Sequence, residues 1–218
     1  MQALIFANGR AHDGPMVRRT LAVVKEKAPL VIAADGGARV ARSYGLAVQT
    51  VVGDMDSLSV AELAELEAQG VELRQHPAEK DENDLELALK LAVERGANWI
   101  RILGALGGRL DQTLANIYLL ALPELRGLDV QLVSRSQAAW LLYPGEHNIA
   151  GEIDDTLSLL PLSGAVTDIH TENLYYPLRG ETLSFGPARG ISNVLTAPQA
   201  ALRFSDGLLL IVHTLGKA

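Results

Sequence analysis

Cysteine is absent from the 218-residue sequence, which excludes disulfides, a thiolate nucleophile and cysteine-ligated zinc. No apolar stretch approaches the roughly 20 residues needed to cross a bilayer. Positive charge is scarce: the formal net charge is −7, which argues against broad binding to nucleic acid or to an anionic membrane. The common nucleotide fingerprints are missing as well. There is no G-x-x-x-x-G-K-[ST] loop and no G-x-G-x-x-G turn, and the five histidines never fall at H-x-x-x-H spacing. Internal repeats and low-complexity segments are lacking. The run MQALIFANGR carries neither a basic lead nor a cleavage site, so it reads as a first strand and not as a signal peptide. A cytoplasmic setting is the expectation.

What is present is a chain 48% hydrophobic and 21% charged, suited to one large or two small folded domains. Up to about residue 135, short apolar runs alternate with helical periodicity. Candidate strands are Ala3–Ala7, Leu30–Ala34, Thr50–Val52, Val71–Arg74, Trp99–Leu103 and Val130–Val133, rich in Val, Ile and Leu as strands buried on both faces are. The clearest helix runs from about Glu82 to Arg95, with Leu85, Ala88, Leu89, Ala92 and Val93 on one face and Gly96 as its stop. Another begins at Ser59, with Glu62 completing a capping box and Gly70 ending it. This alternation implies a mostly parallel, doubly wound α/β sheet over residues 1–140. After Tyr143-Pro144-Gly145 helical patterns give way to short alternating runs, such as Thr156–Leu160 and Ala201–Phe204. Residues 145–218 therefore read as a small all-β domain, with a tight hairpin turn at Asp206-Gly207.

In a doubly wound sheet, ligands sit beyond the carboxyl ends of the strands, and polar residues gather at those ends. Asn8-Gly9 follows the first strand, Asp35-Gly36-Gly37 the second and Gly53-Asp54-Met55-Asp56-Ser57 the third. Lys80-Asp81-Glu82-Asn83-Asp84 follows the fourth, and GALGGRLDQ, residues 104–112, the fifth. Each has a structural explanation of its own. Asp54 or Asp56 suits a turn, Asp81 the N-cap of its helix with Asp84 in the first turn, Lys80 a solvated surface, and Gly36-Gly37 a positive φ angle. Together they ask for more. Two carboxylates in contact repel by about 1 kcal/mol in water and about 4 kcal/mol at a partly buried site, and several on one rim call for a shared hard cation such as Mg²⁺, with substrate phosphates completing its shell. Lys80 and Arg109 would add positive charge for the phosphates, and the glycines would let backbone N–H groups approach an anion. The pattern is that of a metal–nucleotide site and not of a hydrolytic triad.

In that order, ADGGA (34–38), GDMDS (53–57), KDEND (80–84), GALGGRLDQTLAN (104–116) and GISN (190–193) resemble the thiamine pyrophosphokinase family, and the likeness covers nearly the whole chain. The sequence departs from the family's pattern at Asn83, usually Thr, and at Val194, often Glu. Gln112 stands where many bacterial members have His. The resemblance implies transfer of a pyrophosphoryl group from ATP to the hydroxyl of thiamine, giving thiamine diphosphate and AMP. It also implies a homodimer with active sites at the subunit interface, nucleotide on the α/β domain and thiamine partly on the β domain.

On that resemblance, Asp54, Asp56 and Asp84 are the expected Mg²⁺ ligands, with Asp81 as a further candidate. Lys80 and Arg109 would stabilise phosphate charge. Asp111 would orient or deprotonate the hydroxyl or hold a second metal. Asn8, Asp35, Gly36, Gly37, Gly107, Gly108 and Gln112 are expected around the nucleotide. Ser192 and Asn193 match the thiamine-contacting motif, and Tyr176 is placed to stack on a flat, partly cationic ring, unless it is a core or interface tyrosine. Other readings of the same residues are a pyrophosphokinase acting on a hydroxymethylpterin alcohol, a D-x-D nucleotide-sugar transferase, and a non-catalytic nucleotide sensor.

Overall fold

Short β-branched runs separated by amphipathic helices have few ways to bury both faces, and the commonest is a parallel sheet with right-handed crossovers. The computed structural model, which describes residues 1–24 and 27–217, takes that solution in the first of two units, Met1–Arg135 and Ser136–Ala218. Its strands are β1 (Gln2–Phe6), β2 (Leu30–Ala34), β3 (Thr50–Gly53), β4 (Glu72–Gln75), β5 (Trp99–Leu103) and β6 (Asp129–Ser134). They lie in the order β6-β5-β1-β2-β3-β4, and every pairing is parallel. The chain builds outward from β1 to β4, then returns to the other side of β1 with β5, so the order reverses between β1 and β5. Phe6, Ile5, Ile32, Ile100 and Ile102 are almost fully buried.

The helices are α1 (Pro15–Val24), α2 (Gly37–Ser43), α3 (Val60–Ala68), α4 (Asp84–Glu94) and α5 (Leu110–Tyr118). Helix α3 starts as the sequence predicts: the Ser59 hydroxyl accepts the Glu62 N–H, and Glu62 accepts the Ser59 N–H at 2.9 Å. Helix α4 differs by one detail. Its N-cap is Asn83, whose Oδ1 accepts the Glu86 N–H at 2.8 Å, and not Asp81. Asn and Thr are both good caps, so the Asn83 departure preserves the helix start.

Gly36 and Gly37 differ from expectation in an instructive way. The positive φ belongs to the preceding Asp35 (+46°), while Gly36 has φ −60° and Gly37 opens α2. The glycines are needed for closeness: a Cβ on Gly37 would collide with the Phe6 carbonyl, and one on Gly36 with the Asn8 side chain.

The second unit contains β7 (Gln137–Leu142), β8 (Gly145–Ala150), β9 (Thr156–Pro161), β10 (Val166–Glu172), β11 (Arg179–Leu183), β12 (Asn193–Val194), β13 (Gln199–Phe204) and β14 (Leu209–Thr214). They pair antiparallel as β12-β9-β14-β7 and β11-β10-β13-β8. One core holds side chains of both sheets, among them Leu157, Leu159, Leu209 and Ile211 from the first and Ile169, Leu183, Leu202 and Phe204 from the second. The predicted hairpin at Asp206-Gly207 does not form. β13 and β14 lie in different sheets, and Asp206 instead bridges to Thr167, accepting its N–H at 3.1 Å. A two-residue turn would have kept both strands in one sheet; the sandwich requires the chain to cross from one sheet to the other at this corner.

A buried clasp closes this unit. Asp155 accepts the Gly216 N–H at 2.6 Å, the Glu152 N–H at 2.9 Å and a bond from His213 Nε2 at 2.7 Å, with side chains only 4% and 6% exposed. Burial pushes the carboxyl pKa up, but these donors outweigh it and leave it lowered. A carboxyl pKa depressed by folding stabilises the native state above its unfolded pKa, near 4, and that contribution disappears as pH falls through the folded value. Asp155→Asn is therefore expected to lower stability at pH 7 by about 1–3 kcal/mol and to weaken the pH dependence of unfolding below pH 5, measured by denaturant titration at each pH.

Candidate active site

Because β1 to β5 are parallel, the loops after them share one rim, and that rim holds a cleft of about 690 Å³. Asn8, Asp35, Asp54, Asp56, Lys80, Asp84, Gly107, Gly108, Arg109 and Gln112 all line it. Gly36 and Gly37 lie beneath, buried at the start of α2. Asp81 and Asp111 are exposed and outside the lining. Ser57, Asn83 and Asn116, which lie within the quoted motifs without being named as site residues, join the lining, and so does Arg10, which lies outside every motif.

The carboxylates that converge are Asp35, Asp54 and Asp84, each offering an oxygen within 4.8 Å of the others. This trio differs from the expected Asp54, Asp56 and Asp84. Asp56 sits in the cleft but is exposed, with Oδ1 accepting the Ser57 hydroxyl at 3.2 Å. Asp35 reaches the centre because its left-handed backbone turns the chain at the end of β2, an arrangement Asp tolerates better than most residues. Its N–H donates to the Val52 carbonyl at 2.8 Å, which holds that turn in place. Asp84 enters through the space beside Gly53, where an added Cβ would stand 2.9 Å from the Asp84 carboxyl carbon.

The cluster is electrostatically incomplete. Asp35 is 4% exposed, and its Oδ1 is buried without a hydrogen-bond donor among the described residues. Asp84 Oδ1 likewise lacks an aligned donor. Lys80 Nζ stands 3.0 Å from it, so the contact is a charge pair poorly directed for hydrogen bonding. Burial raises the Asp84 pKa, Lys80 opposes that, and the neighbouring Asp54 and Asp35 push it further up. Orphaned buried oxygens on converging carboxylates are the donor set a hard divalent cation takes.

The surrounding loops are tied together. Asn8 Nδ2 donates to Ser57 Oγ at 3.0 Å, and Arg39 Nη2 to the Ser57 carbonyl at 2.7 Å. Asn116 Nδ2 donates to the Ala105 carbonyl at 2.7 Å, and the Gly107 N–H to Thr113 Oγ1 at 3.1 Å. Arg109 is gripped by Asp111 through two bonds, 3.1 and 2.5 Å long. That pairing, with the Gln112 N–H, holds the Asp111 carboxyl below its ordinary pKa.

In the second unit, Tyr175, Tyr176, Pro177, Arg189, Gly190, Ile191 and Asn193 line a separate cavity of about 420 Å³. Tyr175 and Tyr176 meet edge to face at 4.8 Å and both are 65% exposed, so Tyr176 is not a core residue. Asn193 is 4% exposed. Its Oδ1 accepts the Tyr176 N–H at 3.0 Å and its Nδ2 donates to the Tyr176 carbonyl at 2.7 Å. Both ends of the amide are thus spent on the Tyr176 peptide. Ser192 is exposed with φ +54°, and its N–H donates to Ser158 Oγ at 3.0 Å.

Residues 21–132 match the family model for the thiamin pyrophosphokinase catalytic domain, and residues 146–209 the model for the thiamin pyrophosphokinase vitamin B1 binding domain. A curated relative, thiamine pyrophosphokinase of Bacillus subtilis (strain 168), is 29% identical over 186 residues, which are 85% of this chain and 87% of that protein. The crystal structure of a thiamine pyrophosphokinase from Bacillus subtilis superposes with a TM-score of 0.86 at 27% identity, covering 99% of each chain. That of a thiamin pyrophosphokinase family protein from Enterococcus faecalis gives 0.85 at 28% identity over 100% of each. With both family models matched in order along the α/β and β units, the chain belongs to the thiamin pyrophosphokinase family.

Proposed function

We propose that this protein is a thiamine pyrophosphokinase, transferring a pyrophosphoryl group from ATP to thiamine to give thiamine diphosphate and AMP. The observation that carries this reading is the convergence of Asp35, Asp54 and Asp84 at a cleft beside the glycine loop, in a chain that matches both family models. Mg²⁺ held by these three carboxylates, with Asp56 close by, would supply positive charge to the phosphate oxygens of ATP. Lys80 and Arg109 add charge from the cleft wall, with Asp111 paired to the Arg109 fork. The thiamine hydroxyl attacks the β-phosphorus in line, the bond to the α-phosphate oxygen breaks, and AMP leaves. Such a reaction depends mostly on positioning and charge stabilisation.

For thiamine, Tyr176 offers a ring face and Asn193 holds the Tyr176 backbone so that the face is preset. The exposed side chains of Tyr175, Tyr176 and Ile191, which line one cavity, favour a homodimer, since exposed apolar clusters of this kind mark interfaces or ligand sites. Within the described residues no helix is long and apolar enough to cross a membrane. A cytoplasmic enzyme acting on small molecules, without a nucleic-acid or membrane partner, accords with the net charge of −7.

Incubation with ATP, Mg²⁺ and thiamine should release AMP in step with thiamine diphosphate. ADP as product, or turnover indifferent to thiamine, rejects the reading. A hydroxymethylpterin alcohol or a nucleotide sugar should not replace the substrates. Asp84→Asn should abolish turnover. Since folding raises this carboxyl's pKa, its charge opposes the metal-free fold once pH exceeds the folded value. The variant's Tm without metal should therefore rise, by about 2–4 °C if about 1 kcal/mol is relieved, and a drop in Tm contradicts the account. Tyr176→Ala should raise the thiamine KM about tenfold, the scale of one stacking contact, and leave the ATP KM in place. Asn193→Ala should follow the same pattern, and an equal change in both KM values refutes the assignment.

A further inference from the structure

The cleft is lined by five acidic side chains and by three basic ones, Arg10, Lys80 and Arg109. Two of the three cations are already committed. Lys80 lies 3.0 Å from Asp84, and Arg109 is forked onto Asp111. Arg10 is exposed and makes no ion pair or hydrogen bond among the described residues. A polyphosphate entering this acidic cleft thus meets one guanidinium whose donors are all free.

The loop carrying that guanidinium is pinned on both sides. Before it, Asn8 is bonded to Ser57 at 3.0 Å, and the Gly9 N–H donates to the Gly104 carbonyl at 2.9 Å. After it, the His12 carbonyl accepts the Arg135 N–H at 3.2 Å, and Asp13 Oδ1 accepts the Gly14 N–H at 2.7 Å. Arg18 forks onto Asp13 with its shortest bond at 2.9 Å. A Cβ on Gly9 would collide with the Gly104 carbonyl, so the loops after β1 and β5 touch, and Arg10 stands where they meet. A fixed loop with an uncommitted planar fork is pre-organised for bidentate phosphate binding.

We infer that Arg10 is a further nucleotide-contacting residue, whose guanidinium binds the β- and γ-phosphoryl groups of the bound triphosphate. Those groups carry most of the nucleotide's charge, and they are the ones transferred. The inference rests on the pyrophosphokinase reading above and names a cation that the motifs leave out.

The test is calorimetric binding of α,β-methylene ATP, which cannot be cleaved at the reacting bond, and of AMP, both with Mg²⁺, to the wild-type, Arg10→Ala and Arg10→Lys chains. Loss of one charge-assisted bidentate contact should weaken α,β-methylene ATP about 10- to 100-fold in Arg10→Ala. Arg10→Lys should recover only part of that, and AMP binding should stay within about twofold of wild type. Unchanged affinity for the methylene analogue, or an equal loss for AMP, overturns the assignment. Failure of the wild-type chain to bind the analogue at all would instead sink the kinase reading, so the two failures are distinct.

Discussion

Three carboxylates within 4.8 Å of one another constitute the constraint around which the α/β unit is arranged. At the effective dielectric of a protein surface, each pair of charges at such a distance costs about 3 kcal/mol. Nothing in the protein's own hydrogen bonding offsets this in full: Asp35 Oδ1 has no donor among the described residues, and Lys80 meets Asp84 off axis. The fold tolerates the repulsion because the sheet beneath is deeply buried and the loops are cross-tied through Ser57, Arg39 and Asn116. Unrelieved carboxylate charge at a rigid rim is the kind of donor set a hard cation takes.

Glycine sets how closely the parts approach. Gly53 leaves room for the Asp84 carboxylate, Gly37 lets α2 start against β1, and Gly9 lets the first loop meet the fifth. In each case the neighbour is a backbone atom or a carboxylate of the cluster, so a methyl group there would push the loops of the rim apart. The β unit shows a different economy. Asn193 and Asp155 are both buried and polar, and each spends its hydrogen bonds on backbone or on a buried partner. Asn193 secures the peptide of Tyr176, and Asp155 joins the β8–β9 turn to the end of β14. The Asn193 bonds hold the backbone that carries the exposed Tyr176 ring.

Much of this was legible in the residues. Apolar runs of β-branched residues mark the parallel strands, and Ser59 with Glu62 marks the start of α3. The loading of Asp, Asn, Gly and Lys after successive strands marks the functional rim. Such features are local, or follow from the rule that parallel strands end on the same side. What was misjudged was set by pairing partners far away in the chain. Asp206-Gly207 has the composition of a hairpin turn, but Phe204 and Leu209 pack from opposite sheets of one core. Asp81 and Asn83 both suit an N-cap, and the backbone geometry at Asn83 decides between them.

The sequence by itself determined the α/β-then-β order, the rim where charge accumulates and the family resemblance, because these depend on periodicity, composition and motif spacing along the chain. Only the tertiary structure decided which carboxylates meet. Asp54 and Asp56 look equivalent in GDMDS, yet Asp35, from a different loop, stands with Asp54 and Asp84 while Asp56 faces solvent. The reason is geometric: convergence at a point depends on backbone dihedrals, such as the left-handed turn at Asp35, and on the spacing of three neighbouring strands. Neither quantity is written in any short stretch of residues.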